Sequence, residues 1–170
     1  MTMASKSEKN SYNVGDYVVY PKHGVGHIID IEKEEIAGIS LELYVIRFEK
    51  ERMTLRVPMN KVRSSGMRRL SNESKLQEAF TTLKGRARIK RTMWSRRAQE
   101  YEAKINSGDL ISIAEVVRDL HRKEDQPEQS YSERQIYESA LGRLARELAA
   151  VEDIDEEAAI SKLEQELSAA

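Results

Sequence analysis

Residues 53–83 read MTLRVPMNKVRSSGMRRLSNESKLQEAFTTL, and the fold class is decided inside that stretch. Met53, Leu55, Val57 and Met59 alternate with Thr54, Arg56 and Pro58, the period of two that a half-buried strand imposes. Beyond Arg69 the period becomes 3.6. Leu76, Phe80 and Leu83 fall at i, i+4 and i+7, behind Ser71 or Asn72, either of which suits an N-cap. A chain that changes once from strand to helix grammar, near 67–70, belongs to the α+β class. The expected domains are 12–67 and 68–170.

Toward the N-terminus the strand grammar continues. Tyr17-Val18-Val19-Tyr20 is a short apolar run ended by Pro21, which has no N–H to give a ladder. Gly24 and Gly26 bracket Val25 in a turn or bulge that feeds Ile28-Ile29-Asp30-Ile31, and Ala37-Gly38 sits in the next turn. Leu41, Leu43, Val45 and Arg47 then share one face of a strand, with Glu42, Tyr44, Ile46 and Phe48 on the other. Several short strands joined by glycine turns predict a small, strongly bent sheet or SH3-like barrel. Residues 1–11 are polar and unpatterned and read as a disordered lead.

Toward the C-terminus the helices continue. Gly85 closes the first, and Thr92 can cap a second on which Ala98, Tyr101 and Ile105 share a face. Gly108 ends that one and Asp109 can cap a third, striped by Leu110, Ile113, Val117 and Leu120. Ser130 and Glu133 have capping-box spacing before Ile136, Ala140, Leu144, Leu148 and Val151. Asp153 and Glu156 repeat it before Ile160, Leu163 and Leu167. The prediction is a compact five-helix all-α domain. Such a domain can bury the Leu-rich faces internally, so a monomer is expected.

Of 170 residues, 39% are hydrophobic and 34% charged, and the net charge is −1. No stretch approaches the roughly 20 apolar residues of a membrane span. The start MTMASKSEKN lacks the apolar segment of a secretory signal. Zero Cys removes disulfides, thiolate catalysis and Cys-ligated metals. A cytoplasmic protein without redox chemistry is expected. The small net charge conceals a separation. Residues 61–104 carry 13 Lys/Arg against 4 Asp/Glu, whereas 124–170 carry 4 against 13. A positive block in a neutral protein points to a polyanion partner.

Catalysis has little to work with, and no enzyme, cofactor or metal is expected. His23 and His27 are four apart in turn or strand sequence, so they need not converge on a metal. His121 reads as a cation in the last turn of the third helix, where it meets the dipole favourably. Gly24-Val25-Gly26 is followed by neither a third glycine nor Gly-Lys-Ser/Thr, so nucleotide loops are unsupported. The run Asp153-Ile154-Asp155-Glu156-Glu157 opens a helix, where negative charge is stabilising.

The densest chemical signal is residues 84–97, KGRARIKRTMWSRR. Seven of these fourteen residues are basic, none is acidic, and the single Trp lies among them. Lysine and arginine clusters neutralise phosphates without reading sequence. With Thr92 as N-cap, Trp94 falls in the first helical turn, flanked by Lys90, Arg91, Arg96 and Arg97. An apolar side chain held beside free helix amides can wedge into a base step. Two readings stay open, because Trp94, Ala98, Tyr101 and Ile105 run i, i+4, i+7, i+11 and Trp94 equally begins a core stripe.

Four separated motifs add a family resemblance. VGDYVVYPKHGVGHI (14–28), LRVPMNKV (55–62), WSRR (94–97) and SGDLISIAEVVRDLHR (107–122) resemble the CarD/CdnL family of bacterial transcription regulators, in order and spacing, from about Tyr12 to Leu167. The resemblance implies an N-terminal Tudor-like domain that binds the RNA polymerase β subunit. The polymerase-interacting domain of the transcription-repair coupling factor is similar. It also implies a helical domain that contacts promoter DNA just upstream of the −10 element. There a Trp wedges into the minor groove at the bubble edge and stabilises the open complex, notably at ribosomal RNA promoters. Carried over, the wedge is Trp94, with phosphate contacts from Arg96, Arg97 and Arg134. The polymerase surface is the end of the sheet, with Met53, Arg56 and Pro58. The chain departs from the family pattern at Gln99, where relatives often carry a basic residue, and at His121, where they often carry an aromatic. The rival readings are a Tudor-like protein–protein adaptor and a general DNA-binding protein without polymerase contact.

Overall fold

The computed structural model describes residues 11–169. All of the expected N-terminal lead except Ser11 lies outside the described residues. The chain divides into two compact units between Arg69 and Leu70.

The first unit is an antiparallel sheet of β1 (Tyr17–Tyr20), β2 (Gly24–Ile36), β3 (Ile39–Phe48), β4 (Met53–Pro58) and β5 (Arg68–Arg69), in the order β4-β3-β2-β1-β5. β4 and β5 stand at opposite ends of that order, in the small bent sheet that the sequence predicts. The β2–β3 register shifts at Ile29, a bulge that bends the strand. Ala37 and Gly38 are both left-handed (φ 55° and 80°), the turn whose twist matches a two-residue hairpin. Gly26 has a packing reason to be glycine. A Cβ there would lie 2.8 Å from side-chain carbons of Ile46 and Phe48. Tyr12, Val18, Ile28, Tyr44, Ile46, Phe48 and Val57 form the core, so the face that Tyr44, Ile46 and Phe48 were expected to share is the one turned inward.

Strand grammar ends at Pro58, earlier than the sequence suggests. A 3-10 turn (Met59–Lys61) and a one-turn helix α1 (Val62–Ser65) follow, closed by left-handed Gly66 (φ 79°). Val62 and Met67 join the core. Arg68 and Arg69 pair with Val19 and Val18, so the first unit runs two residues past Met67, within the 67–70 window where the grammar changes. A two-residue strand carries no periodicity to read.

The second unit holds α2 (Glu73–Lys84), α3 (Trp94–Asn106), α4 (Leu110–Leu120), α5 (Tyr131–Glu152) and α6 (Glu156–Ser168). The helical unit thus holds five helices, and α1 of the first unit brings the described residues to six. Asn72, Asp109 and Ser130 cap as predicted, accepting hydrogen bonds from the N–H groups of Lys75, Ser112 and Glu133. Two caps need correction. α3 starts behind Met93, with no side-chain cap, so Thr92 is not its N-cap. α6 is capped by Asp155, which accepts from the Ala158 N–H, while Asp153 (φ 54°) ends α5 in the left-handed region. The capping box is half formed, because the Glu133 carboxylate turns to Arg122 at 2.7 Å. Leu76, Phe80 and Leu83 meet Leu110, Val117, Leu120, Leu144, Leu148 and Leu163 in one core. Cutting one such leucine to alanine costs about 2–5 kcal/mol.

Candidate nucleic-acid interface

Residues 85–93 have no regular structure and run from α2 to α3. The loop is tied down from behind. Asp119, on the inner side of α4 and 3% exposed, accepts from the Arg88 N–H at 3.0 Å and from Arg118 Nε at 2.9 Å. A buried carboxylate with two donors is satisfied, and it fixes the loop backbone while the basic side chains remain outside. Arg86, Arg88, Lys90 and Arg91 are exposed, and Lys90 lies 3.5 Å from Glu100.

Trp94 is the first residue of α3 and is half-buried. It lies against the helical core beside Ala98, while Tyr101 and Ile105 farther along the stripe are buried. The core reading therefore holds for the far end of the stripe, and Trp94 occupies its rim. The indole Nε1 donates to Ser132 Oγ at 3.2 Å, which links the start of α3 to the start of α5. Its ring centroid is 6.3 Å from that of Tyr101, at 49°.

Arg97 lies beside both rings. Its guanidinium carbon lies 5.3 Å from the Trp94 centroid and 5.7 Å from the Tyr101 centroid, within cation–π range. One terminal nitrogen donates to the Tyr101 hydroxyl at 3.3 Å, and Nε is buried without a partner. Arg97 thus stacks on the indole rather than extending into solvent. Arg96 is exposed, and so is Arg134, two residues beyond Ser132 in the first turn of α5. The structure therefore brings Trp94 and Arg97 into contact, while Arg134 shares only the first turn of α5 with Ser132, the partner of the indole.

Sequence reasoning missed Ser132, Asp119 and the stacking role of Tyr101. Trp94, Arg97 and Tyr101 at i, i+3 and i+7 was a readable signal for one helix face. The Ser132 contact, 38 residues away, had none.

The histidines go separate ways. His23 is 2.9 Å from Glu51 and stacks on Tyr20, while His27 meets Tyr17. Among the described residues no group of three or more His, Cys, Asp or Glu is placed to hold a metal. His121 departs from expectation. It is the C-cap of α4, its Nδ1 sits 3.1 Å from the Tyr137 hydroxyl, and burial lowers its pKa. Desolvation, helped by the charges of Lys123 and Arg122, outweighs the opposing charge of Glu164, so the ring favours the neutral form. Burial likewise pushes the Tyr137 phenol up to about 12.

In the first unit Met53, Arg56 and Pro58 lie on β4, an end strand whose outer edge has no sheet partner among the described residues. Met53 and Pro58 are half-buried, and Arg56 is exposed. Arg56 Nε donates to Glu32 on β2 at 3.0 Å, a bond that pushes the guanidinium pKa up further.

Comparison with known proteins agrees with the division of the chain. Residues 12–71 match the CarD-like/TRCF RID domain, and 78–164 match the CarD C-terminal domain. YdeB of Bacillus subtilis (strain 168) is 31% identical over 145 residues, covering 85% of this chain and 95% of that protein. The solution structure of the 72-residue N-terminal domain of Myxococcus xanthus CarD is 37% identical, covers 35% of this chain and 79% of that one, and superposes with a TM-score of 0.31. Two domain matches in register, together with a relative similar over nearly its whole length, establish that the chain belongs to the CarD/CdnL family of bacterial transcription regulators.

Proposed function

We propose that this protein is a non-enzymatic, cytoplasmic, monomeric regulator that binds the RNA polymerase β subunit through residues 12–69. Its helical unit contacts promoter DNA near the upstream edge of the −10 element without reading sequence, and stabilises the open complex, ribosomal RNA promoters included. The observation that carries this reading is Trp94: a half-buried indole at the start of a helix, within the segment 84–97 that has seven basic residues and no acidic one. An indole buried in the core has nothing to offer a base step, and one loose in solvent is not aimed. Trp94 is anchored and still accessible.

The polymerase contact rests on the match of residues 12–71 to a domain type named for that interaction. The outer edge of β4, unpaired among the described residues, supplies a row of backbone groups suited to strand addition, with Arg56 setting local charge. The mechanism is differential binding. An element that contacts unwound promoter better than closed duplex shifts the equilibrium toward open by no more than that difference, typically about 1–3 kcal/mol. Tethering to polymerase raises the effective concentration of a weak DNA contact.

The test is the lifetime of polymerase complexes at a ribosomal RNA promoter after a competitor is added. The full-length protein should lengthen that lifetime about 5- to 150-fold, the equivalent of that coupling. An unchanged lifetime, with polymerase binding intact, would refute the DNA half of the reading.

A further inference from the structure

The two most exposed large apolar side chains described in the protein are Tyr131, at 79%, and Met93, at 78%. Each lies one residue before a member of the Trp94–Ser132 hydrogen bond. That bond therefore gathers Met93, Trp94 and Tyr131 at one place, where α3 and α5 begin. Neither Met93 nor Tyr131 belongs to the helical core. Tyr131 is also oriented: its hydroxyl accepts from Gln135 Nε2 at 2.8 Å, one turn along α5, which restrains the ring against the helix. Arg134 follows Tyr131 by three residues on α5, the spacing of neighbours on a helix surface, Arg96 lies in the first turn of α3 behind Met93, and both arginines are exposed.

An apolar patch ringed by arginine fits a polyanion with flat apolar faces, which is a nucleic acid. The patch further selects the form of that acid. Inside a duplex both faces of every base are covered by stacking, and a tyrosine ring finds a face only on a base that has left the stack. We infer that Tyr131 is a second base-contacting aromatic, which stacks on an unpaired base at the junction of duplex and melted strand, with Met93 filling the adjoining step. The inference rests on the reading of Trp94 as the DNA-inserting residue and deepens it. Trp94 is half-buried and anchored, so it forms the floor of the contact, and Tyr131 reaches beyond it.

The experiment uses the full-length protein with two DNAs of one sequence, one fully paired and one forked, with 2-aminopurine at the first unpaired position. Wild type should bind the forked DNA more tightly and quench the probe. Tyr131→Ala should lose about tenfold in affinity for the forked DNA and lose the quenching, while its affinity for paired DNA and its melting temperature stay unchanged. Tyr131→Phe should retain both forked-DNA effects, since the ring face makes the contact. Trp94→Ala runs alongside. If Trp94→Ala weakens forked binding and Tyr131→Ala does not, this inference fails and the reading of Trp94 stands. If neither does, both fail. Equal loss on paired and forked DNA for Tyr131→Ala also overturns the inference, because it would mark a contact indifferent to melting.

Discussion

Each unit of the protein holds an aromatic ring beneath an arginine, and the two settings differ in what encloses the ring. In the sheet unit the Arg69 guanidinium carbon lies 4.8 Å from the Tyr12 centroid, and Arg69 also donates to the Ser11 carbonyl at 2.6 Å. Tyr12 is 5% exposed, with Tyr44 edge-on at 5.7 Å, and burial raises the pKa of its phenol despite the opposing charge of Arg69. In the helical unit Arg97 stacks on a Trp94 that remains half-exposed, and leaves its own Nε without a partner. One contact type thus seals a core in the first case and orients a ring at the rim in the second. Enclosure decides the role, and the arginine does not.

The contrast makes graded predictions. Tyr12→Ala should produce the largest change, a loss of about 3–5 kcal/mol in thermal unfolding, as for other buried aromatics. A loss below about 1 kcal/mol would erase the distinction between the two rings. Arg56→Glu comes next in effect on function. It reverses charge on the exposed β4 edge and sets a carboxylate beside Glu32, so pull-down of the polymerase β subunit should fail while DNA affinity and the melting curve hold. Undiminished pull-down would remove β4 as the docking edge.

Finer effects separate neighbouring arginines. Arg96→Ala should lower the slope of log affinity against log salt for duplex DNA by about one unit, as expected for one lost phosphate contact. Arg97→Ala should leave that slope in place and reduce the effect on open complexes, because its guanidinium supports the indole. Equal slope changes would make Arg97 an ordinary phosphate ligand. The smallest effect is on pH dependence. Burial holds the His121 pKa below its ordinary 6.5, so the unfolded chain takes up a proton before the folded one does. The stability of the helical unit should be complete above pH 6.5 and decline as pH falls below it toward the lowered value. His121→Gln should flatten that decline, as a denaturation series at several pH values would show.

Legibility followed the range of the interactions. The caps Asn72, Asp109 and Ser130 act within three residues, and their types and spacing announced them. Thr92 looked equally suitable, yet α3 begins behind Met93, in a segment where the Trp94 indole is tied to Ser132 on α5. Asp153 and Asp155 are chemically alike at the α5–α6 junction, and the left-handed backbone at Asp153 chooses between them. The short α1 and β5 offered too few residues for a period to emerge. At the candidate site the basic loop and its Trp stood out by composition. The Asp119 anchor, the Arg97 stack and the placement of Tyr131 depend on packing between helices, which composition does not encode. Spacing alone left the position of Trp94 open between core and surface, and the residue lies where the core stripe reaches the surface.

The most direct test of the account measures promoter open-complex lifetime and thermal unfolding together, for wild type, Trp94→Phe and Trp94→Ala. A half-exposed rim residue should cost about 1–2 kcal/mol of stability on truncation to alanine, within the ordinary range for single substitutions. The lifetime should fall about tenfold or more, while polymerase pull-down persists, and phenylalanine should restore part of it. An unfolding loss large enough to account for the whole fall in lifetime, or a lifetime that alanine leaves unchanged, would contradict the claim that Trp94 acts on DNA.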